Sequence, residues 1–359
     1  MALLEVCLVD ESPLSAYLGA VLRKPDAVLW LRRNDQKNVV NHLETTLAGQ
    51  LSASYENREI KSDVDEFSEQ CRQIIKDYPD HDILFNATCG DRLRMLLAAD
   101  VFKKAGKEIF FIDMVHSRLV NIESGEKKTF QLTMTVNEYT ALHGVEIESG
   151  VRFDPEIGKR SGLSYFIGNN LEQIIPFIDS IRPEWNNMGD DKKDIQWRMD
   201  GQYHRFLINY ESSSKKMRFK FGNSENQKTV EIPNDGGNYL FNGGWLRELV
   251  FLRVHRSQYD DVRLDVRLQR DSLPEGVKAE SMLDITMMKG CHFYIFQCFS
   301  YPITRESFIE LKAVEHSVKL LNATGFIFLA HRPHRGFVER ARDYGINVIY
   351  GRRIPNFSL

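Results

Sequence analysis

The chain opens on Leu3 to Val9, an apolar run whose one polar position is Glu5. A strand buried on both faces reads this way, because a parallel sheet covered by helices has no solvent side. The run ends in Asp10-Glu11-Ser12-Pro13, where acidic and hydroxyl side chains can cap a helix with Pro13 at its first position. A second strand, Ala27 to Trp30, follows Pro25, and amphipathic stretches from Val39 to Leu47 and from Phe67 to Lys76 predict helices. Asp82 to Asn86 predicts another strand, followed by the turn Ala87-Thr88-Cys89-Gly90. The helix from Asp91 to Lys104 places Leu93, Leu97 and Val101 on one face, Gly106 stops it, and Glu108 to Asp113 is the next strand. Strand–helix–strand units of this length imply a parallel sheet with right-handed crossovers.

From about Gly150 to Asn242 the pattern breaks. Pro183, Gly189 and the charge run Asp190-Asp191-Lys192-Lys193-Asp194 read as a surface linker, and Ser212 to Lys220 with Lys228 to Ile232 as a small hairpin or wing. Order returns at Gly243-Gly244-Trp245-Leu246, which opens a helix to about Val254. Val262 to Leu268 alternates apolar with charged residues, a half-buried strand, and Leu283 to Met287 and Phe293 to Phe296 flank a Lys289-Gly290 turn. A helix marked by Phe308, Leu311, Val318 and Leu321, a strand Phe326 to Leu329, a helix Gly336 to Tyr344 and a strand Ile346 to Tyr350 finish the pattern. The fold class is α/β: a Rossmann-like domain over 1–150, a linking module over 151–240 and a second α/β domain over 241–359.

A length of 359 residues suits two or three domains at ~100–200 residues each. A charge of −3 rules out a general polycation and leaves room only for a local basic groove. No apolar run approaches the ~18–20 residues of a bilayer span, and Glu5, Asp10 and Glu11 do not suit an export signal. Cys7, Cys71, Cys89, Cys291 and Cys298 are odd in number with no C-x2-C spacing, which favours reduced thiols and a cytoplasmic location.

Candidate chemistry concentrates in Asn86-Ala87-Thr88-Cys89-Gly90-Asp91-Arg92, where a strand ends and a helix begins. Loop ends converge there in a doubly wound sheet, and the helix start offers unpaired N–H groups and a positive dipole to a phosphate. Gly90 permits close backbone approach and Arg92 can pair with an anion. The same residues also describe an ordinary capped turn with Arg92 in solvent. The order strand–Asp10-Glu11-Ser12-Pro13, then strand–Asn86-x-Thr88-x-Gly90-x-Arg92-x-x-Met95, resembles CARF domains, the Rossmann-like sensors of type III CRISPR defence. The resemblance implies that Asp10, Glu11, Ser12, Asn86, Thr88, Gly90, Arg92 and Met95 line a site for a cyclic oligoadenylate. Arg92 replaces the family's lysine, and Asp91 replaces a common threonine with a carboxylate that would repel a phosphate ring.

The C-terminal third is similar to the restriction-endonuclease-like, PD-(D/E)xK-type domain of CARF effectors, on Gly243-Gly244-Trp245-Leu246-x-Glu248, Leu283-Asp284, Gln297-Cys298-Phe299, Arg332-Pro333 and Ala341-Arg342-x-x-Gly345-Ile346. That resemblance implies a divalent metal, Mn2+ or Mg2+, held by Glu248, Asp284 and a second strand acid in an active enzyme. Here the second acid is the neutral Gln297 and the lysine position is Phe299, which points to a degenerate centre unless Glu280 or Lys312 substitutes.

Two function classes follow. One is a nucleotide-sensing defence protein, a two-fold homodimer whose nuclease-like domain is impaired and binds or regulates single-stranded or duplex nucleic acid or a partner. The other is a ligand-activated nuclease with a relocated acid. A third, weaker reading has the CARF crevice hydrolyse the ring itself. Lys215 to Lys220 alternates basic with apolar residues, as a nucleic-acid strand or a solvated hairpin does. His331 and His334, split by Pro333, suit backbone contact better than a metal. Arg198 to His204 resembles the Arg-x(n)-His pair of HEPN ribonucleases, but that fold is all-helical.

Overall fold

The computed structural model describes residues 1–189, 192–201, 205–223, 225–255, 261–270 and 281–359. The chain divides into two compact units, one of residues 1–146 with 269–279, the other of 147–268 with 280–359.

The first unit runs β1 (Ala2–Leu8), α1 (Leu14–Arg23), β2 (Ala27–Arg32), α2 (Lys37–Ala48), β3 (Ser54–Glu59), α3 (Val64–Asp77), β4 (His81–Asn86), α4 (Arg92–Lys104), β5 (Glu108–Asp113), β6 (Arg118–Asn121), β7 (Lys127–Thr129) and α5 (Val136–Leu142). Its sheet has the order β3-β2-β1-β4-β5-β6-β7, with the first five strands parallel and the last two pairings antiparallel. The strand order reverses between β1 and β4, the arrangement of a Rossmann-like fold. The core draws Leu4, Val6 and Leu8 from β1 against Phe67, Phe85 and Phe102, as the unbroken apolar run of β1 requires.

Two details of this unit differ from the sequence reading. Helix α1 starts at Leu14 with Pro13 as its cap residue, and no side chain caps it. Asp10 is unavailable because its carboxylate accepts the N–H groups of Ser12 (2.9 Å) and Gly90 (3.2 Å). Helix α4 forms where expected, capped by Asp91. It buries Ala98, Val101 and Phe102, however, and leaves Leu93 at 56% and Leu96 at 62% exposure.

The second unit contains β8 (Val145–Val151) at one sheet edge, then α6 (Pro155–Asn169), α7 (Leu171–Asn187), β9 (Ile195–Asp200), β10 (Arg205–Glu211), β11 (Lys216–Gly222), β12 (Gln227–Pro233), α8 (Gly236–Phe241), α9 (Gly244–His255), β13 (Asp261–Arg270), β14 (Ser281–Lys289), β15 (His292–Phe299), α10 (Arg305–Leu320), β16 (Thr324–Leu329), α11 (Arg335–Asp343) and β17 (Ile346–Tyr350). It holds an antiparallel sheet β12-β11-β10-β9 and a mixed sheet β17-β16-β15-β14-β13-β8. One apolar cluster runs from Ile157 on α6 through Phe206, Phe219 and Trp245 to Phe296 and Phe328. The antiparallel and mixed sheets therefore share a core.

The linker expected around Pro183 is instead the interior of α7, which contains both Pro176 and Pro183. Its buried face of Leu171, Ile174, Ile175, Ile178 and Ile181 recurs at helical spacing. That burial offsets the N–H groups the two prolines remove. The expected hairpin is the β11–β12 half of a four-stranded sheet, with Ser212 to Lys215 forming the turn before it. Among the described residues, no helix is long and apolar enough to cross a membrane.

Candidate functional site

In the first unit, the carboxyl ends of β1 and β4 lie side by side, with Cys7 paired to Asn86. The turn after β4 is fastened from beneath. Asn86 is fully buried, and its Nδ2 donates to Glu5 Oε1 (3.1 Å) and to the Ser15 carbonyl (3.3 Å). Its Oδ1 accepts the Thr88 N–H at 3.0 Å. Thr88 in turn accepts the Ile112 N–H at 2.9 Å, tying the turn to β5.

Gly90 sits at φ +92°, and a Cβ there would lie 2.4 Å from Leu8 Cβ, so a side chain is excluded both by strain and by space. Gly19 is needed for a similar reason, because a Cβ on it would lie 2.2 Å from Glu5 Oε1 and Asn86 Nδ2. Burial raises the Asp10 carboxyl against the opposing Gly90 and Ser12 N–H groups, and it pushes Glu5 to about 8.

The sequence-predicted residues therefore separate by role. Asp10, Asn86 and Thr88 build the turn through hydrogen bonds, and Gly90 shapes it. Met95 packs against the core. Glu11 and Arg92 are exposed at the edge, with Ser12 half-buried beside them. Arg92 forms no hydrogen bond or ion pair with any described residue, so its guanidinium is free for an anion. Asp91 faces an opposite charge on its own helix. It accepts the Arg94 N–H (3.0 Å) and pairs with the Arg94 guanidinium (2.9 Å). Burial pushes it up, but Arg94 prevails and holds it below the usual carboxylate range. The edge thus presents a helix N-terminus, a glycine turn and an unpaired arginine at the strand-order reversal, a constellation suited to phosphate.

In the second unit, Glu248 on α9 is buried and paired with Arg160 of α6, whose Nε lies 2.6 Å from Oε1. Its other oxygen, Oε2, is buried without a hydrogen-bond partner. Burial raises the Glu248 carboxyl, and Arg160 opposes that rise. Asp284 on β14 accepts the Cys298 N–H at 2.7 Å, and burial pushes it to about 7. Arg247 donates to Asp265 at 2.8 Å and lies 3.8 Å from Asp284. Gln297 turns its Oε1 toward the Asp284 N–H, at 3.4 Å. Arg160, Arg247, Glu248 and Asp265 share a cleft of about 200 Å³ with Asp154 and Asp235.

A divalent metal requires several charged oxygens turned to one point. Here Glu248 and Asp265 engage guanidinium groups, Asp284 engages a backbone N–H, and Gln297 is neutral. Among the described residues, no three His, Cys, Asp or Glu side chains gather as metal ligands. The residues present do not fit a metal, and two arginines supply the positive charge instead. Phe299 is buried. Lys312 is exposed on α10, and Glu280 lies outside the described residues.

The remaining candidates have ordinary partners. Lys216 and Arg218 pair with Glu231 at 3.2 and 2.6 Å, while Lys220 lines a shallow dimple with Arg198 and Arg205. His334 caps α11 through the Phe337 N–H, and His331 lies 3.5 Å from Asp179. Arg198 pairs with Asp200, and His204 lies outside the described residues.

The sequence reading missed Arg160, Arg247, Asp265 and Glu5 as members of these centres. Glu5 alone carried a signal, as the single acid in an apolar strand. Arg160 stands 88 residues before its partner, beyond the reach of any local pattern.

Residues 24–139 match the family model described as the Card1 CARF domain. No characterised protein matches the chain by sequence. Among solved structures, the chain is similar to protein VC1899 from Vibrio cholerae at 16% identity and a TM-score of 0.76, covering 98% of this chain and 95% of that one. It is similar to Can2 from Sulfobacillus thermosulfidooxidans, solved in complex with cyclic tetra-adenylate, at 14% identity and a TM-score of 0.71, covering 96% and 95%. A type III CRISPR defence DNA nuclease activated by cyclic oligoadenylate matches at 14% identity and a TM-score of 0.54, over 92% of this chain and 45% of that one. At these identities the likeness is one of fold.

Proposed function

We propose that the chain is a cyclic-oligoadenylate-sensing antiviral defence protein. In this reading a two-fold homodimer holds the ring at the carboxyl edge of the first unit. The second unit is a PD-(D/E)xK-like nuclease domain with impaired metal-dependent cleavage, which binds or regulates nucleic acid or a partner. The observation that carries the reading is the free Arg92 beside the Gly90 turn and the α4 N-terminus, within the stretch that matches the CARF model. Leu93 and Leu96 on the outward side of α4 support pairing, because an isologous contact there buries apolar surface twice. The order α9-β13-β14-β15-α10-β16, with Glu248 and Asp284 on α9 and β14, supports the nuclease-like reading of the second unit. The arginine-paired carboxylates support its impairment.

Cyclic tetra-adenylate is the probe. Titration calorimetry is expected to show binding of one ring per two chains. Arg92→Ala should weaken it at least roughly tenfold, a loss of about 1.4 kcal/mol, with the melting temperature unchanged. Absence of binding by the unmodified protein to cyclic tri-, tetra- and hexa-adenylate would defeat the sensing reading. The alternative of a ligand-activated nuclease draws on Asp265, which shares Arg247 with Asp284. Ring-dependent cleavage of single-stranded DNA or RNA with Mn2+ present, lost in Asp284→Ala, would favour it. Linear products from the ring would favour hydrolysis in the crevice.

A further inference from the structure

Cys7 lies on β1, in register with Asn86, and Cys89 lies in the turn that follows β4. Their sulfurs are 2.9 Å apart and both residues are buried. A disulfide needs a sulfur separation of about 2.05 Å, so less than about 1 Å of approach joins them. We propose that Cys7 and Cys89 form a reversible intramolecular disulfide that clamps the Thr88–Gly90 turn onto β1. The inference goes beyond the sensing reading and stands whether or not the turn binds a ring.

The chemistry requires an oxidant, here a small disulfide. A thiolate from one cysteine attacks a sulfur of the small disulfide, forming a mixed disulfide and releasing one thiolate. The second cysteine's thiolate then attacks the protein-bound sulfur and releases the other half. The two cysteines are oxidised, the reagent is reduced to two thiols, and those thiols take up the two protons. Burial pushes the Cys7 thiol well up, and the Glu5 and Asp10 carboxylates add to the rise. The first attack is therefore slow and waits on opening of the turn. Closure is fast, because the second sulfur is already in contact. The loop closed spans 82 positions, which restrains the unfolded chain strongly.

The test incubates the reduced full-length protein with 2-hydroxyethyl disulfide at mildly alkaline pH, then quenches with acid, alkylates and maps peptides. The expected result is an intact mass lower by two hydrogen atoms, a Cys7–Cys89 cross-linked peptide and reversal by dithiothreitol. Cys71, Cys291 and Cys298 serve as controls within the same chain. Hydrogen exchange of the amides at 87–91 should slow by roughly tenfold or more on oxidation, and the melting temperature should rise by several degrees. Cys89→Ser should abolish the mass loss, the cross-link, the slowed exchange and the rise in melting temperature, and Cys7→Ser provides the same reading if that variant does not fold. Mixed adducts at Cys7 or Cys89 without closure, a cross-link between other cysteines, or unchanged exchange at 87–91 in the oxidised protein would each overturn the proposal.

Discussion

Replacing Arg160 with alanine is expected to destabilise the second unit by about 3–5 kcal/mol at pH 8, the range found when one partner of a buried ion pair is removed. The Glu248 side chain is 5% exposed and that of Arg160 22%, so water does little to screen either charge. Burial already raises the Glu248 carboxyl, and Arg160 is the first opposing influence. Without it the carboxyl rises further, so the folded protein binds a proton that the unfolded chain does not. Stability is then lost progressively as pH rises above the unfolded value of 4.5, and the gap between variant and parent narrows toward pH 5. Urea unfolding followed by tryptophan emission in a Trp30→Phe background reads this, because the other three tryptophans, Trp185, Trp197 and Trp245, all belong to the second unit. Adding Glu248→Gln to Arg160→Ala should recover most of the loss. A single variant as stable as the parent at pH 8 would show that solvent, not Arg160, compensates Glu248.

That pair also bears on what the second unit does. Glu248 on α9 and Asp284 on β14 are each already engaged by contacts within the chain. Arg160 of α6 supplies the cation that faces Glu248, and the neutral Gln297 stands beside Asp284.

How far these features were legible depends on how local their causes are. Strands β1, β4 and β5 announce themselves as apolar runs because a buried parallel strand tolerates little else. Strand β3, Ser-Tyr-Glu-Asn-Arg-Glu, does not, because it is the outermost strand of its sheet and edge strands carry charge against aggregation. Helix α7 was hidden by Pro176 and Pro183, whose local preference is overruled by its isoleucine face. The Gly90 turn was readable from a strand end, a glycine and a helix start in sequence. The use of Asp10 was not, since the Gly90 N–H it accepts comes from 80 residues away. Local propensity alone made it a helix cap.

Glu5→Gln is expected to stabilise the first unit strongly at alkaline pH and little in acid. Glu5 is fully buried on β1, accepts one hydrogen bond from Asn86, and has no partner for Oε2. Burial lifts its carboxyl from 4.5 to about 8, with Asn86 and Arg23 opposing. Below pH 4.5 both folded and unfolded chains are protonated there and the residue has no pH effect. Between 4.5 and about 8 the folded chain retains a proton that the unfolded chain has released, so stability falls by about 1.4 kcal/mol per pH unit. The whole window amounts to roughly 4–5 kcal/mol, complete once pH exceeds the folded value. Glutamine keeps the oxygen that faces Asn86 and carries no charge, so the variant should lack this slope. Hydrogen exchange of β1 and β4 amides at pH 6 and pH 9 measures it: the parent loses protection between the two after correction for intrinsic rates, and the variant does not. Asn86 links Glu5 to the Thr88 N–H, so Glu5 lies on the hydrogen-bond chain that holds the turn presenting Gly90. Equal pH slopes in parent and variant would mean that Glu5 stays charged in the fold, and that the buried base of the turn is held by Asn86 and Ser15 alone.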